Sequence, residues 1–176
     1  MDLIKPSRDF ESSWLAALRE FEEEGVGGFW NYPSKPLDLG EYLKRTDDHS
    51  QGLNLPQDWP KATTFWLVQG DEFLGHVNLR HYLVEWSRRI GGHIGFAIRK
   101  SARNRGCGSR ILALALEEAR EIGLERALVT CNDKNVGSRK IIEKNGGVYQ
   151  DTNEVKGERV RRYWIPLVQG GFGTLP

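Results

Sequence analysis

In this chain of 176 residues, 25 Lys and Arg stand against 24 Asp and Glu, leaving a net charge of +1 with the two signs interspersed. That balance excludes a protein held on nucleic acid by bulk charge, which needs a basic excess or stripe. No apolar run approaches the ~18 residues of a membrane span, and Cys107 and Cys131 form neither a disulfide framework nor a zinc pattern. The length suits one compact unit with an ample core, expected over residues 1–168 with a loose tail at 169–176. Met1 to Pro6 lack the basic and apolar regions of a secretory leader. The expected setting is therefore soluble, reducing and cytoplasmic, with no nucleic acid, membrane or metal partner, and with the chain a monomer or homodimer.

Ser7 is a candidate cap for a first helix, in which Phe10, Trp14, Ala17, Leu18 and Phe21 recur at helical spacing. Glu20 to Glu24 read as its solvated polar end, and Gly25, Gly27 and Gly28 stop it. The stretch Phe29-Trp30-Asn31-Tyr32-Pro33 is too aromatic for a mere linker, and a short second helix is predicted around Leu39 to Arg45. Thr63 to Gln69 and Phe73 to Arg80 alternate as strands around a Gly70-Asp71-Glu72 turn, which predicts a hairpin. His81 to Arg89 reads as a loop or short irregular piece. A strand at 92–99, a glycine-bearing loop, a helix at 108–122, a strand at 126–131 and a helix at 135–145 follow. Strands near Gly147 to Tyr149 and Val160 to Leu167 complete the set. Hairpins followed by β-α-β-α-β predict an α/β (α+β) fold, a mixed, twisted sheet with helices on both faces.

The loop Arg103-Asn104-Arg105-Gly106-Cys107-Gly108 joins an apolar strand to the helical run beginning near Ile111. A strand, a basic glycine loop and a helix start make an anion cradle: unpaired N–H groups and the helix dipole converge on one point. Glycine lets the main chain approach a phosphate closely. A Walker loop is excluded because no Lys-Ser or Lys-Thr follows the glycines. A dinucleotide fingerprint is excluded because the next strand, Ala127 to Cys131, ends in Thr-Cys-Asn rather than in an acidic residue.

The pattern Arg103-x-x-Gly106-x-Gly108 resembles the pyrophosphate loop of the GNAT superfamily, the acyl-CoA-dependent N-acetyltransferases. The segment Asn135-x-x-Ser138, running into a helix that ends Glu143-Lys144-Asn145-Gly146, is similar to that superfamily's Asn-x-x-Ser segment. From the residues alone, Asn135 and Ser138 read equally as helix caps, with Gly146 at a left-handed helix end. The resemblance covers about residues 63 to 168. It implies a largely antiparallel GNAT-like sheet and acetyl-CoA as co-substrate, without metal. It further implies cofactor contacts from Phe96, Ile98, Arg103, Asn104, Arg105, Gly106, Cys107, Gly108, Ser109, Asn135 and Ser138. Lys100, Arg103, Arg105 and Arg110 surround the cradle as neutralising charges, Arg105 and Arg110 reading equally as solvated surface.

Acetyl transfer to an amine needs a polarised thioester carbonyl, a neutral amine and a protonated leaving thiolate. Main-chain N–H groups around Phe96 to Ile98 are candidates for the oxyanion site, and His93 and Glu85 for the base. A lone strand histidine is also a common structural residue, and Glu85 equally a binder of a cationic substrate. Many superfamily members place a general-acid Tyr where Ile142 stands here, and nothing in the sequence brings Tyr149 or Tyr163 to the sulfur. Lys100 stands where Pro is frequent, and Asn104 where Gly is frequent. Residues 29–32, Asp47-Asp48-His49, Trp59 and the loop in the 80s are candidate acceptor walls or core filling. The expected activity is acetyl transfer from acetyl-CoA directly to a primary amine of a small molecule or peptide. The alternatives are a protein N-terminal or lysine acetyltransferase, and a non-catalytic acyl-CoA-binding module.

Overall fold

A computed structural model describes residues 1–25 and 38–167. Strands β1 (Asp2–Ile4), β2 (Ala62–Gln69), β3 (Glu72–Arg80), β4 (Ile94–Ile98), β5 (Arg126–Asn132), β6 (Val148–Val155) and β7 (Glu158–Pro166) form one sheet. Its order is β1-β2-β3-β4-β5-β7-β6. Every neighbouring pair is antiparallel except β4–β5. Helices α1 (Glu11–Glu23), α2 (Leu39–Gln51), α3 (Glu85–Arg89), α4 (Cys107–Glu121) and α5 (Val136–Lys144) complete the fold. The mixed, largely antiparallel α+β architecture is the one expected.

Strand alternation explains why helices cover both faces. Phe65 and Leu67 of β2 join the core with Ile111, Leu112 and Ala115 of α4. Trp66 and Val68 point the other way, into a second core with Trp14 and Phe21 of α1 and Tyr42 of α2. At the centre of that second core Trp14 stacks on Trp66 at 6.0 Å, and Phe73 meets Trp66 edge-on at 5.1 Å. Truncating such a buried aromatic costs about 3–5 kcal/mol.

The differences from expectation are local. β1 pairs residues 2–4 with 66–68 of β2; three residues are too few to show an alternation in sequence. α2 runs on to Gln51, with Asp47 exposed and Lys44 reaching the partly buried Asp48 at 2.7 Å. Gly52 ends it in the left-handed conformation, φ 80°. Ser7 does cap, but its hydroxyl accepts from Asp9 N–H and starts the 3-10 turn Arg8–Phe10 that precedes α1. The irregular piece in the 80s is the one-turn helix α3. β6 is longer than expected because an edge strand tolerates a polar sequence when β7 supplies the whole ladder. The aromatic stretch 29–33 and the tail 169–176 lie outside the described residues.

Candidate active site

The site begins where the sheet parts. β4 and β5 share one register pair, Ile94 with Val129, and diverge beyond it. His93 closes the vertex: its N–H donates to Leu128 O at 2.7 Å, and its ring Nδ1 accepts from Leu128 N–H at 2.9 Å. A side-chain nitrogen thus satisfies a main-chain donor at the point where the neighbouring strand leaves. Gly92, at φ 61°, permits this approach, since a Cβ there would lie 2.3 Å from Leu128 O.

Beyond the vertex lies a cavity of about 540 Å³, within the usual range for a small-molecule site. On the β3 side, Arg80 N–H donates to His93 O and Arg99 N–H to Leu74 O. These bonds set the phase of the antiparallel ladder, so the His93 carbonyl and the main chain of residues 95, 97 and 99 turn toward β3. Phe96 and Ile98 therefore turn their N–H groups toward the gap.

The cavity reaches both faces of the sheet. Phe96, Ile98 and Ile141 line it on the α4 side, where Val129 and Cys131 also point. By alternation Thr130 and Asn132 point to the opposite face, together with Val160, the β7 partner of Asn132, and Glu158.

At one end stands the start of α4. Gly106 is left-handed at φ 81° and no side chain caps the helix. The first helical bond runs from Arg110 N–H to Gly106 O at 3.0 Å, so the N–H groups of Cys107, Gly108 and Ser109 precede any helical acceptor. Those donors and the dipole of a 15-residue helix favour an anion there. Asn104 is left-handed as well, φ 59°. Gly108 lets α4 approach α5: a Cβ would fall 2.5 Å from Ile141 Cδ1.

Of the residues named from sequence, Phe96, Ile98, Arg103, Asn104, Gly108, Asn135 and Ser138 line the cavity; Arg105, Gly106, Cys107 and Ser109 do not. Cys107 is buried core. Ser109 accepts from Asn145 Nδ2 through its hydroxyl and carbonyl oxygens at 3.2 and 3.4 Å. Asn135 caps α5, its Oδ1 accepting from Ser138 N–H at 2.9 Å, and lines the cavity at the same time. The two readings of Asn135 are therefore compatible.

Arg103 differs from expectation. Its Nε donates to Ile98 O at 3.0 Å, and both terminal nitrogens grip the Glu24 carboxylate at 2.7 and 2.6 Å. Glu20 holds the same loop through Arg99 and through the N–H and hydroxyl of Ser101. Burial alone would raise the Glu20 pKa, but these bonds bring it down to about 2. The acidic end of α1 is thus a clamp on the β4–α4 loop rather than a solvated face.

Neither candidate base lines the cavity. His93 is 6% exposed, and its pKa is lowered to about 4 by burial and then by the charges of Arg80, Arg88 and Arg126. Glu85 is exposed at the start of α3. Ile142, at the customary Tyr position, is fully buried core. The Tyr163 hydroxyl lies 3.4 Å from Glu143, and that of Tyr149 lies 2.9 Å from Thr152. Among the acceptor candidates, Asp48 bonds Lys44 and Asn54. Trp59 packs on Trp86 at 5.7 Å, and neither lines the cavity.

Sequence reasoning missed Thr130, Asn132, Glu158 and Val160. Their one signal was the polar end of β5, since β7 becomes its neighbour only through the fold.

Residues 7–148 match the acetyltransferase (GNAT) domain. The chain belongs to the GNAT acetyltransferase family. Solved structures similar to this GNAT chain include a spermidine N-acetyltransferase from Vibrio cholerae, 14% identical with TM-score 0.63 and 95% of each chain covered. Another is the microcin C7 self-immunity acetyltransferase in complex with acetyl-CoA and AMP, 12% identical with TM-score 0.68, covering 93% of this chain and 91% of that one. A third, from Salmonella typhimurium, modifies the N-terminal serine of a 50S ribosomal subunit protein. It is 14% identical with TM-score 0.63, and 93% of each chain is covered. No curated protein matches this GNAT chain in sequence. Among its described residues no group of three or more His, Cys, Asp or Glu is arranged to hold a metal ion. None of the described helices is long and apolar enough to cross a membrane.

Proposed function

We propose that this protein transfers an acetyl group from acetyl-CoA directly to a primary amine of a small molecule or peptide. The observation that carries the reading is the parting of β4 from β5, with the Phe96 and Ile98 N–H groups facing the gap and the uncapped start of α4 at its end. The pyrophosphate would meet the N–H groups of 107–109, and Asn135 and Ser138 would contact the pantetheine arm. The thioester oxygen would meet the β4 amides. The similar structures, a spermidine N-acetyltransferase, an acetyltransferase that modifies an N-terminal serine and an acetyl-CoA complex, support the same assignment.

The alkylammonium first loses a proton. Its nitrogen lone pair then forms a bond to the thioester carbon, and the carbonyl electron pair moves to oxygen, where the β4 amides stabilise it. Collapse breaks the C–S bond, the thiolate takes a proton, and the amide nitrogen releases its second one. Acetyl-CoA and R-NH₃⁺ become the acetamide, CoA thiol and one proton. Holding both substrates in attack geometry supplies much of the barrier reduction. In this reading His93 is the clamp at the strand vertex and not the base, since its Nδ1 lone pair is occupied by Leu128 N–H. Glu85 is left as a surface residue, and no protein acid is assigned to the thiolate.

Thermal-shift titration with acetyl-CoA and CoA tests donor binding, and absence of stabilisation by either defeats the proposal. Thiol release with a panel of amines, amino acids and peptides then separates a small-amine enzyme from a protein acetyltransferase, and either from a non-catalytic binder.

A further inference from the structure

The face of the cavity opposite α4 holds a carboxylate that the transfer chemistry leaves unused. Glu158 stands just after the Lys156-Gly157 turn, whose left-handed residues (φ 51° and 79°) close the β6–β7 hairpin. Its Oε2 accepts from Asn132 Nδ2 at 2.9 Å. Both residues line the cavity, and among the described lining residues Glu158 is the one carboxylate.

The nearby arginines are committed elsewhere. Arg159 and Arg161 pair with Asp133, and Arg162 pairs with Asp151. Arg103, the one cation of the lining, pairs with Glu24. Among the described residues no ion pair reaches Glu158. Glu158 is an exposed carboxylate of the cavity lining, and a single neutral amide orients it.

We propose that Glu158, oriented by Asn132, is the specificity-determining residue that binds the cationic amine of the acceptor on this side of the cavity. The inference rests on the acetyl-transfer reading above and names its acceptor class: an aliphatic amine bearing no carboxylate near its ammonium groups. A hydrogen bond between an ammonium and a carboxylate is among the strong ones. Val160 and Ile90 offer apolar surface to a methylene stem. An acceptor carrying its own carboxylate meets repulsion from Glu158 instead.

The test compares wild type with Glu158→Gln, which keeps the shape and an oxygen for Asn132 to bond. The probes are putrescine and γ-aminobutyrate, equal in chain length and differing in one end group. Calorimetric titration of putrescine into the CoA-loaded protein is expected to weaken about tenfold or more in the variant. KM for putrescine rises by the same factor, while the acetyl-CoA thermal shift and KM stay unchanged. Glu158→Asp recovers part of the affinity, Asn132→Ala loses less than Glu158→Gln, and γ-aminobutyrate is the poorer wild-type acceptor. Equal putrescine binding by wild type and Glu158→Gln overturns the proposal, as does no binding by either or a wild-type preference for γ-aminobutyrate. Loss of the acetyl-CoA thermal shift in wild type is a separate result, which defeats the acetyl-transfer reading itself.

Discussion

His93 shows how one side chain serves two neighbours. Its ring accepts from Leu128 N–H, so the proton of the neutral ring sits on Nε2 and a second proton has to displace a main-chain donor. Burial, and then the charges of Arg80, Arg88 and Arg126, also disfavour protonation in the folded state, and the pKa falls from 6.5 to about 4. The depressed value means that the unfolded chain takes up this proton first. His93's contribution to stability is complete above pH 6.5 and declines as pH falls from 6.5 toward 4. The maximal slope from one such group is about 1.4 kcal/mol per pH unit. His93→Gln, whose amide oxygen is able to accept from Leu128 N–H, is expected to remove that part of the slope in chemical unfolding measured from pH 7 to 5. His93→Ala orphans the Leu128 donor and is expected to lose about 1–3 kcal/mol at pH 7. If His93 were the base, kcat would instead collapse in the Gln variant near neutrality and recover at high pH. A second comparison separates two demands on glycine. Gly106 is left-handed in open space, whereas Gly92 is left-handed and pressed on Leu128 O. Gly106→Ala is expected to cost only the conformational strain, about 1–2 kcal/mol, and Gly92→Ala distinctly more. Equal midpoints in urea for the two variants would defeat this account of the vertex.

At the scale of elements, α1 is tied to the loop it faces across the sheet edge. Glu20 and Glu24 lie one helical turn apart, and each holds a different part of the chain between Arg99 and Arg103. Because the Glu20 pKa is depressed from 4.5 to about 2, its contribution is present above pH 4.5 and is lost as pH falls toward 2. Glu20→Gln at pH 7 is expected to lose about 1–3 kcal/mol of stability and to raise KM for acetyl-CoA several-fold with kcat little changed, because Ser101 and Arg99 then hold the cradle less firmly. A fall in kcat with KM unmoved would place the clamp's effect elsewhere. This clamp was invisible in the sequence, where a run of glutamates reads as solvent-facing; its arginine partners lie about 80 positions away and meet it only after folding. The opposite holds for α4 and the strand before it, since apolar periodicity and two glycines are local properties. The α4 side of the cavity was legible for that reason. The opposite side was not, because Asn132, Glu158 and Val160 are brought together by the β5–β7 ladder, which no local pattern announces. β6 was half legible: its polar residues carry no alternation, and its length comes from pairing with β7.

Across the whole molecule, the sheet consists of two antiparallel groups, β1–β4 and β5–β7, joined at the single Ile94–Val129 pair and by the His93–Leu128 bonds beside it. Helix α4 contributes apolar side chains to the core beneath both groups. The cavity fills the space where main-chain pairing between them stops, so a ligand there contacts β4 on one wall and β5, α5 and β7 on the other. Such a ligand replaces the missing strand-to-strand contacts and binds the folded chain alone. At a free concentration one hundred times its Kd, acetyl-CoA is expected to add about 2.7 kcal/mol, which raises the midpoint of thermal unfolding by roughly 5–10 °C for a chain of this size. Hydrogen exchange locates the effect. Main-chain amides of Phe96 and Ile98 on β4, and those at the start of α4, should slow on ligand addition, whereas amides within the β2–β3 hairpin should change only as far as global stability dictates. Uniform slowing across the sheet, with no excess at β4, would mean that the ligand stabilises the fold without entering the gap between the two groups, and the placement of the thioester against the β4 amides would fall with it.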